Sequence, residues 1–170
     1  MANSIIHFRK QLNCPPDVAI VLGFGVRPPV ISDDVNAWLA LRDKATGGET
    51  PPARSWTAHD FQSEMTAKPW WRDDRTWLAF RNDSVSELVG SVTLAMREGR
   101  LGTVPVVHWL LVDPGWRRRG VGRLLLSHLE RAAWDAGFRE VQLETHAGWS
   151  SAVAFYQSIG YSPVRDPSPR

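Results

Sequence analysis

The sequence has 170 residues, enough for one ordinary domain. With 43% hydrophobic and 22% charged residues, 13 glycines and 12 prolines, it lies outside the compositions of disordered, collagen-like and coiled-coil chains. Twenty basic against 18 acidic residues leave a net charge of +2, too small for a general affinity for nucleic acid or membranes.

The opening Met1-Ala2-Asn3-Ser4 lacks a basic stretch followed by an apolar one, so no secretory leader is expected. The longest apolar run, residues 18–26, is too short to span a bilayer. Residues 1–17 show no clear period and end in Cys14-Pro15-Pro16, which predicts a poorly ordered arm ahead of a single domain over 18–170. Cys14 is the only cysteine; it excludes an internal disulfide and fits a reducing, cytoplasmic compartment. Residues 18–27 read as a buried strand stopped by Pro28-Pro29. Ser32, Asp33 and Asp34 offer N-caps to a helix in which Val35, Trp38, Leu39 and Leu41 recur at helical spacing. Residues 46–54, rich in Gly, Pro and Thr, predict a loop, and Thr57 with Asp60 starts a second short helix that runs to about residue 67.

A meander follows. Residues 76–80, 88–97 and 103–112 read as strands, joined by turns at 82–84 and 99–102. Gly90 marks a bulge or a close backbone approach. Strict alternation in the last strand places Val104, Val106, Leu110 and Val112 on one face and Val107, Trp109 and Leu111 on the other, so both faces are covered. From 120 to 136 the pattern is helical, with Val121, Leu125, Leu129, Ala132 and Ala136 in one stripe and Gly137 just past its end. Residues 140–145 form a strand, 150–158 a helix closed by Gly160, and a short strand at Tyr161 is cut off by Pro163, Pro167 and Pro169. The order β-α-α-β-β-β-α-β-α-β predicts an α/β (α+β) fold, a mixed sheet flanked by helices. Nine tryptophans imply a core built around them or an aromatic-lined site.

The segment Val112-Asp113-Pro114-Gly115-Trp116-Arg117-Arg118-Arg119-Gly120-Val121-Gly122-Arg123 joins a buried strand to a helix. Glycines in the first turn let a ligand approach the backbone, the unpaired N–H groups and helix dipole favour an anion, and the arginines add bidentate donors. Two phosphate-loop patterns fail: no Lys-Ser/Thr follows Gly122, and Leu125 stands where a dinucleotide fingerprint needs its third glycine. A plain tight turn with solvated arginines is the competing reading of these residues.

The same segment resembles the GNAT superfamily of acetyl-CoA-dependent N-acetyltransferases, whose pyrophosphate loop reads [QR]-x-x-G-x-[GA], here Arg117 to Gly122. A second family signature, a strand followed by a helix ending in Tyr-x-x-x-Gly-Phe/Tyr, corresponds to Leu143-Glu144-Thr145 and to Phe155-Tyr156-Gln157-Ser158-Ile159-Gly160-Tyr161. The resemblance implies a mostly antiparallel six- to seven-stranded sheet with about four helices, and acetyl-CoA as co-substrate without a metal. It implies that pantetheine bonds to the backbone at Leu110, Leu111 and Val112. The pyrophosphate would rest on the loop from Arg117 through Arg118, Arg119, Gly120, Val121 and Gly122 to Arg123. The amine would attack the thioester directly, with Glu144 as base and Tyr156 as acid, as in the ribosomal-protein alanine acetyltransferase branch.

His146, on the same strand face as Glu144, is a rival base. His108 reads as a hydrogen-bonded core residue, and His128 as structural. Phenol and thiol pKa values near 10 and 8.5 make full proton transfer from Tyr156 uphill by about 2 kcal/mol, so its expected part is a hydrogen bond to the departing sulfur. The chain departs from the family at Trp149, where many members carry an asparagine that contacts the pantetheine arm. Ser150 or Ser151 would replace that contact, besides capping the helix. The short C-terminus leaves little room for a last strand, so part of the acceptor wall is missing or comes from another subunit; a monomer and a homodimer both fit. In the acceptor region, 33–75, Trp38, Trp56, Trp70 and Trp71 stand with Asp60, Glu64, Asp73 and Asp74. They either bind a cationic amine or simply pack and cap. Two other classes compete: a non-catalytic acyl-CoA-binding module, and a phosphate or nucleic-acid binder built on Arg117–Arg119, against which the small net charge argues.

Overall fold

The computed structural model describes residues 4–99 and 102–164, with the side chains of all but 84–86. The chain begins with β1 (Ile5–Gln11), β2 (Phe24–Arg27), α1 (Ile31–Thr46), α2 (Ala58–Phe61), a π-helical turn (Gln62–Thr66) and β3 (Thr76–Arg81). It continues through β4 (Ser84–Gly99), β5 (Gly102–Val112), α3 (Val121–Asp135), β6 (Glu140–His146), α4 (Ser150–Ser158) and β7 (Ser162–Pro163). One sheet in the order β2-β3-β4-β5-β6-β1-β7 carries all seven strands, antiparallel throughout except for β5 beside β6. This is the mixed α/β architecture expected from the sequence. The expected turn residues 100–101, and the closing prolines Pro167 and Pro169, lie outside the described residues. No helix among the described residues is long and apolar enough to cross a membrane.

The sheet separates two cores. On one face Val121, Leu125 and Leu129 of α3 pack with Phe8, Val89, Val141 and Leu143. On the other, Trp38, Leu41 and Ala45 of α1 pack with Leu78, Phe80 and Leu88. The spacings i, i+4, i+8 and i, i+3, i+7 are those of single helical stripes. The α3 stripe ends at the fully buried Ala133, and Ala136 is exposed. Gly137, at φ 93°, takes the left-handed turn that only glycine adopts without strain. Gly90 is a close approach, as expected: a Cβ there would stand 2.8 Å from Val121 Cγ1 and 2.9 Å from Leu125 Cδ1.

Four expectations are corrected. Residues 1–17 are not a loose arm throughout, because Ile5–Gln11 form β1, paired with β6 from Ile5–His146 to Gln11–Glu140 and with β7 at Phe8–Pro163. Phe8, fully buried between α3 and α4, anchors that strand. The sequence signal was too short to see, since only Ile6 and Phe8 alternate with polar residues before the prolines. The strand read at 18–27 is reduced to 24–27. Ile20 and Leu22 are each 91% exposed, and the amide of Ala19 bonds to Ser127 Oγ of α3 (2.9 Å) instead of to a neighbouring strand.

The start of α1 lies one residue before the expected caps, and its Ncap residue, Val30, provides no side-chain cap. Asp34 takes the capping role from inside the helix: it accepts the Val30 N–H (2.7 Å) and both Nη1 (2.7 Å) and Nη2 (2.8 Å) of Arg27. The Arg27 hydrogen bonds, against the opposing effect of burial and with help from the Val30 N–H, hold the Asp34 carboxyl below its ordinary value. A carboxyl lowered in this way adds stability above the unfolded pKa and loses it as pH falls through the folded one. Asp34→Asn should therefore cost about 2 kcal/mol in urea denaturation at pH 7. The gap between variant and wild type should close below about pH 4.

The decisive irregularity is in β5. Thr93 pairs with His108 but Ser91 with Leu111, so β5 carries one extra residue, and Trp109 sits there at φ 47°. The bulge shifts the alternation by one. Trp109 and Leu111 face α1, while Val107, Leu110 and Val112 face α3, so the predicted grouping of Leu110 and Val112 with Val104 and Val106 is broken by phase. The parallel partner strand β6 keeps a single paired position, Val106–Gln142, and a cleft opens between the two strands toward their C-terminal ends.

Candidate active site

β5 feeds directly into the glycine-rich loop. Asp113 accepts the Gly115 N–H (2.9 Å), closing a 3-10 turn at Pro114–Trp116. Arg118 (φ 63°) and Gly120 (φ 87°) are both left-handed, the backbone sense from which anion-binding nests are built. Gly120 is the Ncap residue of α3 and offers no side chain, so the N–H groups of the first turn have no side-chain acceptor there. At Gly122 a Cβ would lie 3.0 Å from Phe155 Cζ, so this glycine lets α3 and α4 close on each other beside the loop. The arginines divide their duties. Arg117 donates to the Ala45 carbonyl (2.7 Å) and lies 3.9 Å from Glu49, and Arg119 stacks over the Trp116 ring (4.8 Å). Arg118 and Arg123 make no ion pair, hydrogen bond or ring contact among the described residues.

This loop opens into a cleft of about 1460 Å³ that passes between β5 and β6 to the α1 side of the sheet. Leu110, Leu111 and Val112 line it from β5; Arg117, Arg118, Gly120, Val121, Gly122 and Arg123 line its loop end. Glu144, Tyr156 and Ser151 line the wall made by β6 and α4. Of the residues assigned from the sequence to acetyl-CoA or to catalysis, Arg119 alone is not in the lining, and its guanidinium is stacked on Trp116. Val121 lines the cleft although its residue is only 1% exposed, so its side chain belongs to the core and its amide to the loop.

Glu144 is half exposed on β6 beside β1. Its Oε1 is held by Arg97 Nη1 and lies 3.4 Å from His7 Nδ1, whereas Oε2 has no partner among the described residues. Tyr156 is buried, its hydroxyl has no hydrogen-bond partner among the described residues, and burial raises its phenol well above the ordinary value. The phenol therefore stays protonated and a donor at all working pH values. His146 leaves Nδ1 without a partner, its ring 5.1 Å from that of Trp149.

His108 is not the hydrogen-bonded core residue expected. The bulge turns it onto the cleft wall between Trp70 (5.1 Å) and Trp109 (6.0 Å), and its buried Nε2 has no partner among the described residues. Burial pushes this imidazole down to about 4, so it is neutral at pH 7. His128 rests near Trp77 (6.4 Å) and its pKa is lowered by burial, in keeping with a structural part.

The departure at Trp149 has a structural account. Its indole N–H donates to the Pro51 carbonyl (3.0 Å), tying the loop after α1 to the start of α4. Neither Ser150 nor Ser151 caps that helix, whose Ncap residue is Trp149 without a side-chain cap, and Ser151 is exposed on the cleft. A last strand does form, the two-residue β7 paired with β1, and β1 brings Ile5 to the cleft and His7 to within 3.4 Å of Glu144.

On the α1 side the aromatic residues are mostly spent on packing. Trp38, Trp56 and Trp109 meet edge-on or tilted at 5.2–6.5 Å, and the buried Arg42 guanidinium lies 4.3 Å from Trp56 and 4.4 Å from Trp109. The carboxylates of this region are committed too. Asp60 closes a capping box with Thr57 and pairs with Arg54 (2.9 Å), Glu64 pairs with Lys68 (3.1 Å), and Asp73 accepts the Trp71 indole N–H (2.8 Å). These three and Asp74 lie outside the cleft lining, which removes the support for a cation-binding aromatic box. Sequence reading missed Arg72, Arg75 and Arg97, which line the α1-side end of the cleft, since nothing local marks an arginine as facing a site.

The family model of the acetyltransferase (GNAT) family matches residues 48–161. The chain belongs to the GNAT acetyltransferase family. It is 29% identical over 166 residues to a mycothiol acetyltransferase of Thermobispora bispora, covering 95% of this chain and 54% of that one. Over 53 residues it is 40% identical to a ribosomal-protein alanine N-acetyltransferase of Salmonella typhimurium, covering 31% and 36% of the two chains. A GCN5-related N-acetyltransferase from Sphaerobacter thermophilus shares its fold with a TM-score of 0.74 at 22% identity, over 94% of this chain and 48% of that one. The GNAT chain described here spans about half the length of the mycothiol acetyltransferases it matches. Both of the sequence signatures that first suggested GNAT lie on the cleft: the glycine loop at one end and Tyr156 in its wall.

Proposed function

We propose that the chain transfers the acetyl group of acetyl-CoA to a primary amine, without an acyl-enzyme. The observation that carries this is the continuity of one cleft from the anion nest at 118–123 to the unpartnered Tyr156 hydroxyl and the free oxygen of Glu144. The residues present fit the co-substrate. First-turn amides and the unpaired Arg118 and Arg123 suit a pyrophosphate. The free edge of β5 at Leu110, Leu111 and Val112 suits the amides of a pantetheine arm. Trp149 does not act as the family asparagine does, because its single donor is taken by Pro51; Ser151 offers its hydroxyl in that wall.

An alkylamine with a pKa near 10.4 is neutral in only about one molecule in 10³ to 10⁴ at pH 7, a cost of several kcal/mol. Glu144 removes this proton through Oε2, while Arg97 holds the carboxylate through Oε1, with His7 Nδ1 3.4 Å away. Tyr156 donates a hydrogen bond to the departing sulfur; its raised pKa makes complete transfer of the proton less favourable still. Cys14, exposed between β1 and β2, is not in the cleft lining, which supports direct attack by the amine.

One chain completes the cleft through its own β1, which supports a monomeric working unit. A single, exposed cysteine suits the cytoplasm. The test is a thiol-release assay with acetyl-CoA and a panel of amines that includes peptides. Amine-dependent release of CoA is expected. Tight binding of acetyl-CoA with no release for any amine would identify an acyl-CoA-binding module instead. Salt-dependent binding to nucleic acid without affinity for acetyl-CoA would overturn both.

A further inference from the structure

Four basic side chains among the described residues make no ion pair, hydrogen bond or ring contact: Arg72, Arg75, Arg118 and Arg123. The other described Lys and Arg side chains are each tied to a carboxylate, a carbonyl or an aromatic ring. All four free ones line the same cleft. Arg72, Arg118 and Arg123 are exposed and Arg75 half-buried at the cleft, so their guanidinium groups stay open to a bound anion. Arg118 and Arg123 flank the nest that suits a pyrophosphate. Arg72 and Arg75 come from a different part of the chain, the 3-10 turn leading into β3, and from the α1 side of the sheet.

The surroundings of this second pair point the same way. Arg75 immediately precedes Thr76, whose hydroxyl meets that of Thr93 (3.0 Å), and Thr93 pairs across β4 and β5 with His108. The row therefore leads from Arg75 to the neutral His108 and Trp70 on the cleft wall. Nearby acids are already engaged. Glu144 is held by Arg97 and His7, Glu98 accepts the Thr103 hydroxyl (3.1 Å), Glu64 pairs with Lys68, and Asp73 accepts the Trp71 N–H. At this end of the cleft three arginines face two glutamates, and the two unpaired charges are both cationic.

We infer that Arg72 and Arg75 form an anion subsite for the acceptor, so that the amine this chain acetylates also carries a carboxylate or a phosphate group. The inference rests on the acetyl-transfer reading for its word acceptor, but the subsite itself can be measured without catalysis. Two guanidinium groups supply the forked donors that suit either anion, and they would orient the molecule with its amine directed past His108 toward Glu144.

The experiment uses the full chain saturated with CoA, which occupies Arg118 and Arg123. Matched probes that differ only in the anion are titrated by calorimetry: alanine against alaninamide for the carboxylate, and phosphoethanolamine against ethanolamine for the phosphate. The member of a pair that bears the favoured anion should bind at least about ten-fold more tightly. In Arg72→Gln/Arg75→Gln that preference should fall to within about two-fold, while CoA affinity and the melting temperature stay unchanged; each single variant should lose part of it. The pair that shows the preference tells carboxylate from phosphate. Equal binding within both pairs, absence of binding by every probe, or a preference that survives the double substitution would overturn the subsite. The thiol-release assay separates the two ideas. A protein that prefers the anionic probe yet releases no CoA keeps the subsite and loses acetyl transfer. One that acetylates neutral and anionic amines with equal kcat/KM loses the subsite alone.

Discussion

Glu144→Gln should lower kcat/KM at pH 7 by about 10²- to 10⁴-fold, the span that a positioned general base contributes. Glutamine keeps the shape and the contact with Arg97 but cannot take a proton. The variant then depends on amine already deprotonated in solution. Its rate should climb about ten-fold per pH unit toward pH 10, the ordinary ammonium range, with a shallower rise in the wild type. The affinity for acetyl-CoA should be unchanged, since Glu144 stands on the far wall of the cleft from the glycine loop. An unchanged pH–rate profile would transfer the proton to water or to His146, whose Nδ1 is also without a partner among the described residues. The matching variant His146→Gln distinguishes those two.

Tyr156→Phe should reduce kcat by about 10- to 100-fold, equivalent to one hydrogen bond of ~1.5–3 kcal/mol to a group gaining negative charge. The loss should be the same from pH 6 to 9, because burial raises the phenol well above that window and it never ionises there. Stability should hardly move: the ring packs against Phe8 (6.3 Å), Phe155 (5.7 Å) and Tyr161 (5.7 Å), contacts that phenylalanine retains, and the hydroxyl has no partner among the described residues to lose. Full kcat in the variant across that range would remove Tyr156 from the reaction.

Much of the glycine-loop side of the cleft was readable because its signals are local. Glycines at fixed offsets, a strand that ends in Asp-Pro and a helix with one apolar stripe depend on a few neighbouring residues, and the loop, α3 and α4 fall where those signals put them. The N-terminal strands and the phase of β5 were not readable in the same way. Ile5–Gln11 is a strand only because β6 and β7 offer it hydrogen bonds from about 135 and 155 residues away. Residues 18–22 are apolar enough for a strand, but no sheet edge receives them: Ala19 and Val21 are half-buried along α3, and Val18, Ile20 and Leu22 are exposed. The phase of β5 was lost for a further reason: one bulged residue, Trp109, reverses every facing assignment after it, and period-two patterns carry no mark of an inserted residue.

The length, the near-neutral charge and the unusual tryptophan count set the first expectations: one domain, no general polyanion affinity, and an aromatic excess in need of a use. The family and the glycine-rich loop were legible in the sequence by itself, because backbone freedom at glycine and the helix first turn are written in consecutive residues. Only the tertiary structure decided what the tryptophans and arginines do. Trp56 and Trp109 flank Arg42 and meet Trp38, Trp149 holds the loop at Pro51, and Trp70 joins His108 on the cleft wall. Which arginines are left unpaired depends on every carboxylate within reach, and so on contacts between segments far apart in the chain.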